Sequence, residues 1–71
     1  MKPLHIWTVR YSHGICDELK KTADMKVGVP PTVGETAACN WAEKATTETL
    51  GLFNVVIEAA WDDCEIIFVE D

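Results

Sequence analysis

Hydrophobic and polar positions change period several times along the chain, and each change marks an element. Residues 4–12 (LHIWTVRYS) are rich in β-branched and aromatic side chains and lie between Pro3 and His13-Gly14, the flanks expected of a strand. His5, Trp7, Val9 and Tyr11 share one face, with Leu4, Ile6, Thr8 and Arg10 on the other. Neither face is purely polar, which predicts a central strand or one covered on both sides. Residues 13–24 (HGICDELKKTAD) fit two readings. Ile15 and Leu19, with Asp17 and Glu18 ahead of Lys20 and Lys21, suit one or two helical turns, and an excursion at a hairpin tip suits them equally. Residues 25–29 (MKVGV) then read as a short strand, stopped by Pro30-Pro31.

The period next becomes helical. Thr32-Val33-Gly34-Glu35 has the form of a capping box, in which hydroxyl and carboxylate each reach the other residue's backbone N–H. Ala37, Ala38, Trp41, Ala42 and Ala45 recur at three- and four-residue intervals, leaving Glu35, Asn40, Glu43 and Lys44 outside the stripe. Small side chains let a helix lie close on a sheet, so Trp41 is expected as its single large anchor. The β-branched Thr46, Thr47 and Thr49 weaken the helix, and Gly51 offers a left-handed stop, which places its end between Ala45 and Leu50. Residues 52–61 (LFNVVIEAAW) and 64–70 (CEIIFVE) are two β-rich runs around Asp62-Asp63, a pair suited to turns, and predict a closing hairpin. The expected fold class is α+β, a single small domain of order β-β-α-β-β with one amphipathic helix on a mainly antiparallel sheet.

This arrangement, with its initial W-x-V strand, the helix ETAACNWAEKA and a closing hairpin, resembles short open reading frames of phages and bacteria. The likeness is carried by fold-forming residues and implies no chemistry.

Length narrows the picture. At 71 residues there is material for one core only. A core of that size supplies about 3–5 kcal/mol, which oligomerisation or partner binding would supplement. A hydrophobic fraction of 48% argues for a packed globule rather than a disordered chain. Cys16, Cys39 and Cys64 cannot all pair within one chain, and their even scatter lacks the dense spacing of secreted disulfide scaffolds, so they are read as reduced thiols. No run approaches the ~20 apolar residues of a membrane span, so a cytoplasmic protein without membrane contact is the expectation.

Charge adds an asymmetry. Residues 1–30 carry five Lys/Arg against three Asp/Glu, 5 − 3 = +2, whereas residues 31–71 carry only Lys44 against nine acids, 1 − 9 = −8. Such a field repels phosphate backbones, which argues against direct nucleic-acid binding, and attracts basic surfaces.

Candidate chemistry is sparse. Asp62-Asp63-Cys64-Glu65 is the densest group of possible cation ligands, but it lacks the spacing of a calcium loop, and adjacent strand residues point to opposite faces. His5, His13 and the three cysteines show no zinc-type spacing. The cysteines are expected as buried small hydrophobes and the histidines at the surface. A Cys16–His13 pair has no third group to orient it. No cofactor or metal is expected, and a metal- or thiol-dependent enzyme is the weakest reading. Trp7, Trp41 and Trp61 serve either as interface anchors or as core, and the core is favoured for Trp41 and one strand Trp.

The leading expectation is a non-enzymatic protein-binding module, a small phage-type inhibitor or accessory factor acting as a nucleic-acid mimic. Its acidic face, formed by Glu43, Glu58, Asp62, Asp63, Glu65 and Glu70 with Trp61, would engage a basic protein surface. The alternative is a homo-oligomeric assembly subunit, a homodimer in its simplest form, joined through an exposed β-edge and the Trp residues.

Overall fold

A computed structural model describes residues 1–70, apart from the side chain of Asp17. Asp71 and the Asp17 carboxylate, both counted among the acids above, lie outside the described residues. The elements are β1 (Lys2–His13), β2 (Lys21–Val29), α1 (Glu35–Lys44) and β3 (Val56–Val69), with a single 3-10 turn at Asp17–Leu19 and a wide π turn at Ala45–Thr49. The three strands form an antiparallel sheet of order β2-β1-β3, with α1 packed on one face. The α+β class and the single helix on an antiparallel sheet are therefore those expected. The element order is β-β-α-β.

The difference lies at Asp62-Asp63. No hairpin forms there, and β3 runs straight through as one bulged strand of 14 residues. Trp7 pairs with Asp62 while the preceding Ile6 pairs with Glu65, so Asp63 and Cys64 are extra residues on β3. The physical reason is the length of β1. Its first half, from Lys2 to Ile6, offers backbone partners to residues 65–69, and a chain folding back at Asp62 would leave that half unpaired on this side. The turn chemistry of the two Asp residues is still used. Asp62 Oδ1 accepts from the Cys64 N–H at 2.7 Å, and Cys64 takes a left-handed φ of 55°.

Both strands of the first hairpin are longer than their patterns suggested. β1 includes Pro3, which sits beyond the β2 register and pairs only with Phe68. β2 begins at Lys21, and the contested segment resolves into a hairpin connection containing one 3-10 turn, so each reading of it was partly right. Asn54 anchors this connection by donating from Nδ2 to the carbonyls of Gly14 and Ile15, at 2.9 and 3.3 Å.

The helix starts at Glu35 with Gly34 as its N-cap, and no side chain caps it. The expected Thr32 cap does not form because Pro30 to Val33 make their own tight turn, closed by the Val33 N–H on the Pro30 carbonyl at 3.1 Å. At the other end, Thr46 is fully buried and donates to the Ala42 and Glu43 carbonyls, both at 2.9 Å. This bonding accompanies the widened last turn before Gly51 at φ 65°. The stop at Gly51 is the one predicted.

The core lies between α1 and the sheet. Val9, Val27, Val29, Ala38 and Ala42 are buried together, with Trp7, Met25, Ile57 and Ala60 packed around them. Alanines on the helix allow the close approach expected of them. Trp41 is not the anchor. It is 53% exposed, because Ala38, Ala42 and Thr46 define the stripe that meets the sheet and Trp41 falls at its margin. The opposite, helix-free face is drier at one end than a solvent face usually is. Leu4 and Ile6 lean over Gly28, where an added Cβ would lie 3.2 Å from Leu4 Cδ1, and Ile6 is thereby buried.

Candidate functional site

The helix-free face of the sheet carries the densest set of polar contacts, and register explains why. Thr8, Arg10 and Ser12 of β1 alternate away from the core residues Val9 and Tyr11, and their partners Lys26, Asp24, Trp61 and Ala59 come onto the same face. The bulge adds Asp63 to this set. Asp63 accepts from the Thr8 hydroxyl at 2.9 Å and from Lys26 Nζ at 2.6 Å. Arg10 makes a two-point bond to Asp24, at 2.8 and 3.2 Å, and its guanidinium lies 4.9 Å from the Trp61 ring centroid. The Ser12 hydroxyl donates to Glu58 at 2.8 Å.

These contacts set the protonation states. The hydrogen bonds from Lys26 and Thr8 hold the Asp63 carboxyl below the ordinary carboxylate range, and Asp63 in return raises Lys26. Arg10 lowers Asp24 and is itself raised by it. Asp62 is lowered first by the Cys64 backbone N–H and then by His5, whose Nε2 donates to it at 2.5 Å. That pair sits on the helix side of the sheet, where the His5 ring is tilted against Trp7 at 5.5 Å. The indole Nε1 of Trp7 is buried without a hydrogen-bond partner.

Of the seven residues expected to form one acidic face, the structure brings four onto the helix-free face: Glu58, Trp61, Asp63 and Glu65. Trp61 is 43% exposed. The other three are separated from them. Asp62 points to the helix side with His5, Glu43 lies on the outer surface of α1, and Glu70 follows the end of β3. Sequence reasoning missed Thr8, Arg10, Asp24 and Lys26, which share the face, and of these Arg10 and Lys26 neutralise part of it. Strand alternation placed Thr8 and Arg10 together, but the register that brings Lys26 and Asp63 to Thr8 depends on a bulge with no distinct sequence mark.

The thiols and histidines also depart from expectation. Cys16 and Cys64 are exposed and Cys39 is half-buried, and all three are free. Burial, with the nearby Glu35, pushes the Cys39 thiol up, away from the reactive thiolate. His5 and His13 are half-buried, held against Trp7 and Tyr11. Among the described residues, no three His, Cys, Asp or Glu side chains converge as a metal sphere would need, and no helix is long and apolar enough to cross a membrane.

A groove of about 760 Å³ also lies on the surface. It is open rather than enclosed and runs beside Trp41, lined by Pro3, Val29, Pro30, Pro31 and Val33. Comparison of the chain with protein-family models, with curated proteins and with solved structures returns no match.

Proposed function

We propose that this chain is a non-enzymatic protein-binding module that presents the helix-free face of its sheet to a basic surface of a partner protein, as an inhibitor or accessory factor would. The observation that carries the reading is the composition of that face. A half-exposed Trp61 stands among four carboxylates, Asp24, Glu58, Asp63 and Glu65, against Arg10, Lys26 and, at the far end of the face, Lys2, a balance of 3 − 4 = −1. The two ion pairs are internal, so Glu58 and Glu65 remain as the acids with which a partner's Lys or Arg would pair. An aromatic centre with a charged rim is the usual anatomy of a binding patch, and the overall charge of −6 would speed the approach of a basic partner.

The test is affinity capture from the source cells on immobilised protein, eluted with a salt gradient and compared across variants. Basic proteins should elute as salt rises, should be lost when Glu58→Gln and Glu65→Gln are combined or when Trp61→Ala is introduced, and should be retained by the helix-surface pair Glu35→Gln and Glu43→Gln. Retention that ignores salt, or that fails equally in the helix-surface control, overturns the reading.

A further inference from the structure

The two edges of the sheet are unlike. The β2 edge exposes Lys21, Asp24 and Lys26 and stops at Pro30-Pro31, features that discourage strand addition. Among the described residues no strand pairs with the outer edge of β3. Its first part carries two register shifts, while residues 65–69 form an arm that pairs with β1 without a shift and lies outside the core under α1. In that arm Ile66, Ile67 and Phe68 are 51%, 41% and 62% exposed. Three consecutive large apolar residues on an open edge contrast with a core of only seven buried apolar residues among the described ones.

We propose that the occupant of this edge is a second copy of the chain, joined by antiparallel β3–β3 pairing with Ile67 on the two-fold axis. Geometry favours one register. A two-fold axis normal to the sheet leaves both helices on the same side, and residues facing each other across the pair then share a face. Within the arm this restricts pairing to positions of equal parity. With Ile67 on the axis, Ile66 of one copy faces Phe68 of the other, and Glu65 faces Val69, so among the described residues no carboxylate opposes another. Moving the axis to Ile66 sets Asp62 against Glu70, and moving it to Phe68 sets Ile66 against Glu70. Opposed like charges destabilise a strand pair, and opposed apolar residues stabilise it. The product is a continuous six-stranded sheet with two helices on one side, in which the apolar arms cover each other's edge.

Of the residues the basic-partner reading uses, this arm holds only Glu65, so the two proposals still fail separately. A strict monomer overturns the pairing and leaves the basic-partner reading standing. Their salt responses are also opposite. Two acidic copies should associate as well or better when salt rises from about 0.05 to 0.5 M, whereas binding to a basic surface should weaken. The experiment is sedimentation equilibrium of the full chain across a concentration series at both salts, for the unaltered protein and for Ile67→Lys. The unaltered chain should reach a monomer–dimer equilibrium, and I67K should remain monomeric with an unchanged far-ultraviolet circular dichroism spectrum. An isotope-filtered NOE measurement on a mixture of labelled and unlabelled unaltered protein tests the register without any variant, and should show Ile66 against Phe68 between copies. A monomer at every concentration, a dimer that survives I67K, or intermolecular NOEs from β2 or the helix instead would overturn the proposal.

Discussion

Asp63 shows how much one side chain settles. As an extra residue in the bulge it leaves the strand ladder, and it ties Thr8 and Lys26 of two other strands together through its carboxylate. Asp24 and Asp62 likewise work as anions, bonded to Arg10 and to the Cys64 N–H with His5. All three carboxyls are lowered in the folded chain relative to their ordinary values, so each contributes stability that is present above about pH 4 and lost as pH falls through the depressed folded value. Lys26 is raised, so its contribution is present below its ordinary value and is lost only in strong base. Urea unfolding followed by Trp fluorescence should therefore give a flat stability between neutral and about pH 5, then a fall on acidification. Asp63→Asn should flatten part of that acid limb, and a limb of unchanged slope in D63N would show that the bond to Lys26 carries no stability.

At the scale of elements, β3 was the least legible and its bulge is the cause. The strand patterns around Asp62-Asp63 were correctly apolar, and the pair was correctly credited with turn chemistry. A turn and a bulge ask for the same residues, however, and only the length of the neighbouring β1 decides between them. The helix was legible in its alanine face and its Gly51 stop because those rest on local backbone preference. Trp41 was misplaced because a period of three and four residues gives a stripe but not its centre, which tertiary packing set at Ala38, Ala42 and Thr46. The bulge makes its own prediction. Cys64 holds φ at 55°, a conformation that suits glycine and resists β-branched side chains. Cys64→Gly should leave stability unchanged or raise it by about 0.5 kcal/mol, and Cys64→Val should lower it by about 1–2 kcal/mol, measured by thermal unfolding. Equal effects of the two would mean that the bulge relaxes once Cys64 is replaced.

The whole molecule is long and thin, 43 by 21 by 15 Å, because a helix of ten residues covers only part of a sheet built on strands of 12 and 14. Stability should therefore be uneven along it. Amides of Val9 and Val27, under the helix, should exchange with solvent last, and those of residues 65–69, outside its cover, should exchange early at low concentration. Raising the protein concentration should slow exchange in the arm alone if the edges pair, a change that hydrogen exchange followed by NMR resolves residue by residue. Fold class was legible at this scale, since alternation and one helical stripe leave few ways to cover a sheet. The candidate face was only half legible. Charge counting located the acids along the chain but not the cations that fold against them, Arg10 and Lys26, which come from the slightly basic N-terminal part.

The pairing of Lys2 with Val69 also has a consequence in time. β1 is the first strand of the chain and the centre of the sheet, yet one of its two neighbours is the last strand. The first hairpin can zip early through local contacts, but it cannot bury its second side until residues 56–69 have been made and have returned across the whole chain. Closure across so large a sequence separation belongs to the slower range of small-domain folding, about milliseconds to seconds. During synthesis the central strand therefore waits half-finished, with its free edge open to any other strand nearby.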